Sequence, residues 1–144
     1  MSEPKNNPEV ISTLLFQHHQ LRREMADTRN ENNKPSPDFA LILKTLNDFK
    51  TSLIAHLALE DKVFYPQVLK QLKERNLDTQ KMEEFIGEMA NLAQTTMAFL
   101  DKYNEPQLIE NNLNQFKIDF EDMASAILIR ITSEEDGVYL YWDM

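Results

Sequence analysis

Apolar residues recur at three- and four-residue spacing in four long segments of the chain, which is the pattern of amphipathic helices. We predict helices over residues about 8–28, 37–74, 79–103 and 106–137. Asn7-Pro8 and Ser36-Pro37 are typical helix starts, since each joins a capping side chain to a proline. The connections are short or polar, and no segment alternates like a strand. The pattern therefore predicts an all-α fold, an up-and-down antiparallel four-helix bundle formed by a single domain over residues 1–144.

Several polar residues fall inside the predicted apolar stripes, on the side of each helix that a bundle buries. His18 lies in the middle of the stripe of the first helix, and His56 and Glu60 lie near the centre of the second. Glu134 lies near the centre of the fourth stripe, with Arg130 on its flank and still facing inward. An imidazole and a carboxylate one helical turn apart share a face and form a usable pair of metal ligands. A buried site that includes His56 and Glu60 is therefore expected.

Other polar residues are expected to stay outside this site. His19 lies at the edge of its stripe, and Glu135 and Asp136 are predicted to rotate towards solvent. The third helix presents an uninterrupted apolar face, and its acids Glu84 and Glu88 point away from that face. The third helix is therefore not expected to supply a ligand.

The composition excludes several classes of protein. Two Gly and no Cys leave no residues for a glycine-rich phosphate loop, a zinc–thiolate site, a disulfide or a cysteine nucleophile. A net charge of -9 without a basic run argues against a nucleic-acid partner. The chain has no targeting pattern and no apolar stretch near the roughly 20 residues that span a bilayer, so we expect no membrane partner and a cytoplasmic location. Since no activated nucleophile can be recognised, we do not expect an enzyme.

Two motifs give the chain a resemblance to a known family. The first predicted helix contains His18-His-Gln-Leu-Arg22, and the second contains His-x-x-x-Glu followed by Asp-x-x-Phe-Tyr-Pro, from His56 to Pro66. Through these motifs the chain resembles the hemerythrin-like, HHE cation-binding family. The similarity extends over nearly its whole length. The resemblance implies an up-and-down four-helix bundle with a carboxylate-bridged di-iron site, used for oxygen binding, for oxygen or redox sensing, or for nitrosative-stress repair.

The resemblance also implies a set of metal ligands, and this chain matches that set only in part. His18, His56, Glu60 and Glu134 occupy ligand positions, whereas the family's third-helix histidines are missing and Arg130 replaces the fourth-helix histidine. A permanent cation at Arg130 repels metal and can pair either with Glu134 or with Glu60. We therefore expect iron in fewer ions than the usual di-iron centre, or none.

Two functional hypotheses follow from this incomplete ligand set. If the iron site is eroded, the chain is a non-enzymatic regulatory, sensing or interaction module. If the residual ligands are functional, it is an iron-dependent carrier or sensor of oxygen, nitric oxide or redox state. The C-terminal aromatics Tyr139, Tyr141 and Trp142 either dock a protein partner or a second copy of the chain, or fold back as a cap on the bundle.

Overall fold

The computed structural model describes residues 6–143, and within that range it contains helices and no strand. The α-helices are α1 Pro8–Asn32, α2 Phe39–Leu59, α3 Tyr65–Glu74, α4 Gln80–Lys102, α5 Pro106–Glu110 and α6 Leu113–Asp136. Four long helical arms, of which α2 and α3 together form the second, pack antiparallel and confirm the predicted all-α bundle. Among the described residues, no helix has both the length and the apolar character needed to cross a membrane. The predicted domain of residues 1–144 includes 1–5 and 144, which lie outside the described residues.

Capping side chains determine where the first two helices begin. The side chain of Asn7 accepts a hydrogen bond of 2.9 Å from the backbone N–H of Glu9. Helix α2 begins at Phe39, later than the prolyl position that the sequence suggests, because the side chain of Asp38 accepts from the N–H of Leu41 at 3.1 Å. Each cap satisfies a backbone donor that a helix start otherwise leaves unpaired.

The fourth predicted helix is interrupted near its start. Helix α5 ends at Glu110 and α6 begins at Leu113, so the segment predicted as continuous is broken by a short turn. The side-chain amide of Asn112 donates to the carbonyl of Leu108 at 3.0 Å, a local bond of the kind that competes with regular helix. Helix α6 ends before Gly137, and a 3-10 helix, Val138–Asp143, continues the chain.

A π-helical segment, Glu60–Phe64, joins α2 to α3. The backbone N–H of Tyr65 bonds the carbonyl of Glu60, five positions earlier. Because a π-turn holds more residues than an α-turn, Tyr65 returns to the side of the helix that carries Glu60. Glu60 and Tyr65 are both buried, so this segment places two polar site groups on one side of the same arm of the bundle.

Two apolar clusters fill the bundle, and the polar residues lie between them. Leu21 of α1 and Leu53 of α2 belong to the first cluster. Leu14 of α1 and Phe64 belong to the second. His18 lies between Leu14 and Leu21 on α1 and is fully buried. The candidate site is therefore a polar layer enclosed by apolar packing on both sides.

Candidate metal centre

Two imidazoles from adjacent helices meet at the centre of the polar layer. His18 of α1 and His56 of α2 have relative exposures of 0% and 2%. Their Nε2 atoms lie 3.2 Å apart, and the ring centroids are 4.6 Å apart. The two rings thus present the same nitrogen to one point inside the bundle.

Hydrogen bonds on the opposite ring nitrogens fix this orientation. The Nδ1 atom of His18 donates to Oε2 of Glu135 at 2.8 Å, and the carboxylate of Glu135 accepts two further bonds of 2.8 and 2.7 Å from Arg22. These Arg22 bonds lower the pKa of Glu135, so its carboxylate only accepts. The Nδ1 atom of His56 lies 2.9 Å from Oε1 of Gln17. Such outer partners orient the Nε2 atoms of ligating histidines.

The prediction that Glu135 faces solvent is wrong. Its side chain is only 24% exposed and contacts both His18 and Arg22 on α1. A helical wheel of α6 places Glu135 beside the apolar stripe, but it cannot show that α1 packs against that flank. Arg22, which is part of the His-x-x-Leu-Arg motif, was the available signal, because a basic side chain next to the predicted site can pair with an acid on a neighbouring helix.

Two buried carboxylates complete the inner layer. Oε1 of Glu134 lies 2.9 Å from Nε2 of His18 and 3.5 Å from Nε2 of His56. Oε1 of Glu60 lies 3.4 Å from the same nitrogen of His56. One ligand atom from each of His18, His56 and Glu134 lies within 4.8 Å of the others. These distances bring together the residues that the sequence predicted, whereas their role as metal ligands stays a prediction.

Two tyrosine hydroxyls cover the carboxylates, and sequence reasoning did not identify either as a site residue. Tyr65 lies 3.1 Å from Oε2 of Glu134 and 3.4 Å from Oε2 of Glu60. Tyr139 lies 3.1 Å from Oε2 of Glu60 and 3.3 Å from Oε1 of Glu134. Each tyrosine follows one of these glutamates by five residues. That repeated spacing was the signal in the sequence that could have found them.

Arg130 of α6 is buried beside the two carboxylates and forms its ion pair with Glu134. Its Nε atom lies 3.5 Å from Oε2 of Glu134, and its Nη2 atom donates to the hydroxyl of Tyr65 at 2.9 Å. Its Nη1 atom donates to the carbonyl of Phe85 at 2.8 Å, and the guanidinium lies over the ring of that residue. Helix α4 therefore contributes a backbone acceptor for Arg130. The guanidinium approaches Glu60 through the hydroxyl of Tyr65, which bonds to both groups.

The two carboxyl groups differ strongly in their affinity for a proton. Burial and the neighbouring Glu134 raise the pKa of Glu60 to about 10. Burial alone would raise the pKa of Glu134, but hydrogen bonds with Glu60, His18 and His56 hold it well below its usual range. Burial also lowers the pKa of His56. Without metal, the pair thus carries one proton on Glu60 and one negative charge on Glu134, next to the Arg130 cation.

The arrangement fits one cation better than two. Oε1 of Glu60 is buried and forms no hydrogen bond with any described residue, so this oxygen is available to a cation. His18, His56 and Glu134 supply further donors around the same point. On the opposite side of Glu134, the guanidinium of Arg130 occupies the space and carries the charge that a second ion would need.

The structure also places the polar residues off the apolar stripes and the C-terminal aromatic residues. His19, Glu84 and Glu88 are exposed, as expected from their positions off the apolar stripes. Tyr139 and Trp142 are each only 4% exposed and cap the end of the bundle, whereas Tyr141 is 36% exposed. Docking of a partner or of a second copy of the chain stays a prediction, and Tyr141 is the member of this aromatic set that lies at the surface.

Comparison with protein families agrees with this geometry. The family model described as the hemerythrin HHE cation binding domain matches residues 9–141. Comparisons with curated proteins and with solved structures gave no significant match. The matched range contains both imidazoles, both inner carboxylates and Arg130.

Proposed function

Because the chain belongs to the hemerythrin HHE cation-binding domain family, we propose that it is a non-enzymatic metal-binding module that holds one iron ion and serves in sensing or regulation. The convergence of His18 Nε2, His56 Nε2 and Glu134 Oε1 within 4.8 Å carries this proposal. Imidazole nitrogens and carboxylate oxygens together suit iron among the common transition metals.

These three residues would hold the ion, with Glu60 as a fourth donor. His18 and His56 would bind through Nε2, since their Nδ1 atoms are engaged by Glu135 and Gln17. Bound iron would supply a redox-active centre with affinity for small diatomic ligands. A small donor set leaves coordination positions open, which favours sensing of oxygen, nitric oxide or redox state over a purely structural role.

Arg130 explains why we propose one ion rather than two. Its guanidinium is permanently charged, and the Nε atom lies 3.5 Å from Oε2 of Glu134. Two like unit charges about 4 Å apart repel by on the order of 4 kcal/mol at an effective dielectric constant of about 20. Helix α4 adds no imidazole to offset this repulsion, because the three histidines of the chain are His18, His19 and His56.

Metal stoichiometry tests the proposal directly. Protein stripped with a chelator is loaded anaerobically with ferrous iron, freed of excess metal by gel filtration, and analysed for iron per chain. We expect about one ion per chain for the wild type, little for His56→Ala, and the wild-type value for the exposed neighbour His19→Ala. Two tightly held irons with an oxo-bridge absorption band would contradict the proposal, and so would a wild type that retains none.

A complementary variant tests the role of Arg130. Arg130→His removes the cation and supplies an imidazole at the position where the family carries one. We expect iron uptake to rise above one ion per chain, because the repulsion is removed and a ligand is added. An unchanged stoichiometry in a folded Arg130→His protein would show that the guanidinium does not limit the number of ions.

A further inference from the structure

The hydroxyl oxygen of Tyr139 lies at the same point as the candidate metal ligands. It is 3.0 Å from Nε2 of His18, 3.1 Å from Oε2 of Glu60 and 3.3 Å from Oε1 of Glu134. Nε2 of His18 and Oε1 of Glu134 are atoms that we assign as ligands of the ion. Oε2 of Glu60 belongs to the carboxyl group whose other oxygen we assign as a ligand. An ion bound at this point would therefore have the Tyr139 oxygen among its nearest neighbours.

The C-terminal 3-10 helix holds this phenol in place. The ring of Tyr139 stacks on His18 at 5.3 Å and meets the edge of Phe64 at 5.2 Å. Trp142 stacks on Phe64 at 5.5 Å and donates its indole N–H to the carbonyl of Asn7 at 2.8 Å. The segment is thus fastened to the start of α1 and to the π-helical segment. Tyr139 is positioned by packing, as the helical ligands are.

We propose that Tyr139 is a further metal ligand and that the centre binds ferric iron as a tyrosinate complex. This inference rests on the proposed function, because it adds a donor to the same ion. On binding ferric iron, the Tyr139 phenol would release its proton to solvent and replace a chelate or water ligand of the supplied Fe(III), so no oxidant or reductant is consumed. A phenolate is an anionic oxygen donor, and tyrosinate is an established iron ligand in haem proteins.

Tyr65 differs from Tyr139 in the atoms that it contacts. The Tyr65 hydroxyl lies against Oε2 of Glu134 and accepts a hydrogen bond of 2.9 Å from Arg130. Tyr139 instead contacts Oε1 of Glu134, the oxygen that also approaches both imidazoles. The guanidinium beside Tyr65 repels a cation on that side. Tyr139 is therefore the ligand, and Tyr65 links Arg130 to the carboxylates.

Visible absorption and resonance Raman spectroscopy of iron-loaded protein test this assignment. Chelator-stripped protein is loaded with ferric nitrilotriacetate, freed of excess reagent, and analysed for iron content in parallel. We expect a visible phenolate-to-iron charge-transfer band, with phenolate vibrations enhanced on excitation into that band. Tyr139→Phe keeps the ring packing and should lose the band, whereas Tyr141→Phe, at a residue outside the site, should keep it.

The outcomes separate this inference from the proposed function. Iron bound by the wild type without a phenolate band, or a band that persists in Tyr139→Phe, overturns the assignment of Tyr139 and leaves the iron site intact. A wild type that binds no iron overturns both. If Tyr139→Phe does not fold, the chain's remaining tyrosines are replaced singly as Tyr65→Phe, Tyr103→Phe and Tyr141→Phe. A band retained in all three supports Tyr139 as its source, and a band lost from any one of them that still binds iron overturns the assignment.

Discussion

The Nε2 atoms of His18 and His56 face each other at 3.2 Å inside the bundle. Because Glu135 accepts the Nδ1 hydrogen of His18, Nε2 is the nitrogen that His18 can offer to a metal ion. The amide oxygen of Gln17 makes the same arrangement favourable for His56. Without metal, the two Nε2 atoms lie 2.9 and 3.5 Å from Oε1 of Glu134, and a cation at this point would contact the same three atoms. These two nitrogens are therefore the atoms that a bound ion would contact first.

Replacing Glu135 should weaken metal binding without touching an inner donor. Glu135→Gln keeps the size of the side chain but removes the charge that orients His18 and pairs with Arg22. We expect iron affinity to fall by about 10- to 100-fold, as for other outer partners of metal-bound histidines. Competition with a chromophoric chelator measures the change. Asp136→Asn, an exposed neighbour, is the matched control, and equal affinities for the two variants would argue against an orienting role.

Removing the Arg130 charge should have opposite effects on metal-free and metal-loaded protein. In Arg130→Met, Glu134 and the hydroxyl of Tyr65 lose their cationic partner. We expect the metal-free free energy of unfolding to fall by about 3–5 kcal/mol, as when one partner of a buried pair is removed. Iron affinity should rise, because a repelling charge is gone. Urea unfolding with chelator and with iron measures both, with the exposed Arg23→Met as control. A parallel loss of stability and affinity would contradict this account.

The raised pKa of Glu60 predicts that the metal-free bundle loses stability as the pH rises. The folded state holds this proton up to a pH of about 10, whereas the unfolded chain releases it near the ordinary value of 4.5. Stability from this group is therefore complete below the unfolded pKa and declines between the two values, by up to about 1.4 kcal/mol per pH unit. Glu60→Gln cannot ionise, so its urea midpoint should depend less on pH.

The comparison for Glu60→Gln is made in chelator between about pH 5 and pH 9, inside the window between the two pKa values. Glu88→Gln on the exposed side of α4 controls for the loss of one acidic group. If the wild type and Glu60→Gln show parallel pH profiles, Glu60 is ionised in the folded protein and the assignment of its proton is wrong.

Trp142 should contribute strongly to the stability of the bundle end. It is 4% exposed, stacks on Phe64, and bonds the carbonyl of Asn7. Trp142→Ala should lower the free energy of unfolding by about 3–5 kcal/mol, since it leaves a cavity and an unpaired carbonyl. Leu140→Ala, at a residue that is 65% exposed, should change it by less than about 0.5 kcal/mol. Similar thermal midpoints for both variants would mean that the 3-10 helix does not cap the core.

Helical periodicity was enough to predict the bundle and much of the inner site. His18, His56, Glu60 and Glu134 lie on apolar stripes and Arg130 lies on the inward flank of one, and an apolar stripe faces the core whichever helices surround it. A residue's own helix therefore determines whether it points inward. The π-helical segment was not predicted in this way. Pro66 lacks a backbone N–H and marks an irregular turn before it, but the longer turn itself becomes visible only in the hydrogen bond from Tyr65 to Glu60.

The sequence by itself thus determined the all-α class, the family resemblance and the inward set of imidazoles and carboxylates, because these depend on spacing along single helices. Only the tertiary structure decided that Glu135 turns to His18, that Arg130 lies nearest Glu134, and that Tyr139 reaches the centre. The contacts that Glu135 and Tyr139 make with His18 join residues 117 and 121 positions apart in sequence, and they form only because the segments that carry them pack beside α1. Arg130 and Glu134 are one turn apart on α6, but the direction of the Arg130 side chain depends on its bonds to Tyr65 and Phe85 of other segments. The 3-10 helix Val138–Asp143 is the clearest example. From the sequence, its aromatic side chains could equally have faced a protein partner, and only the packing of Tyr139 and Trp142 on Phe64 shows that they face the bundle.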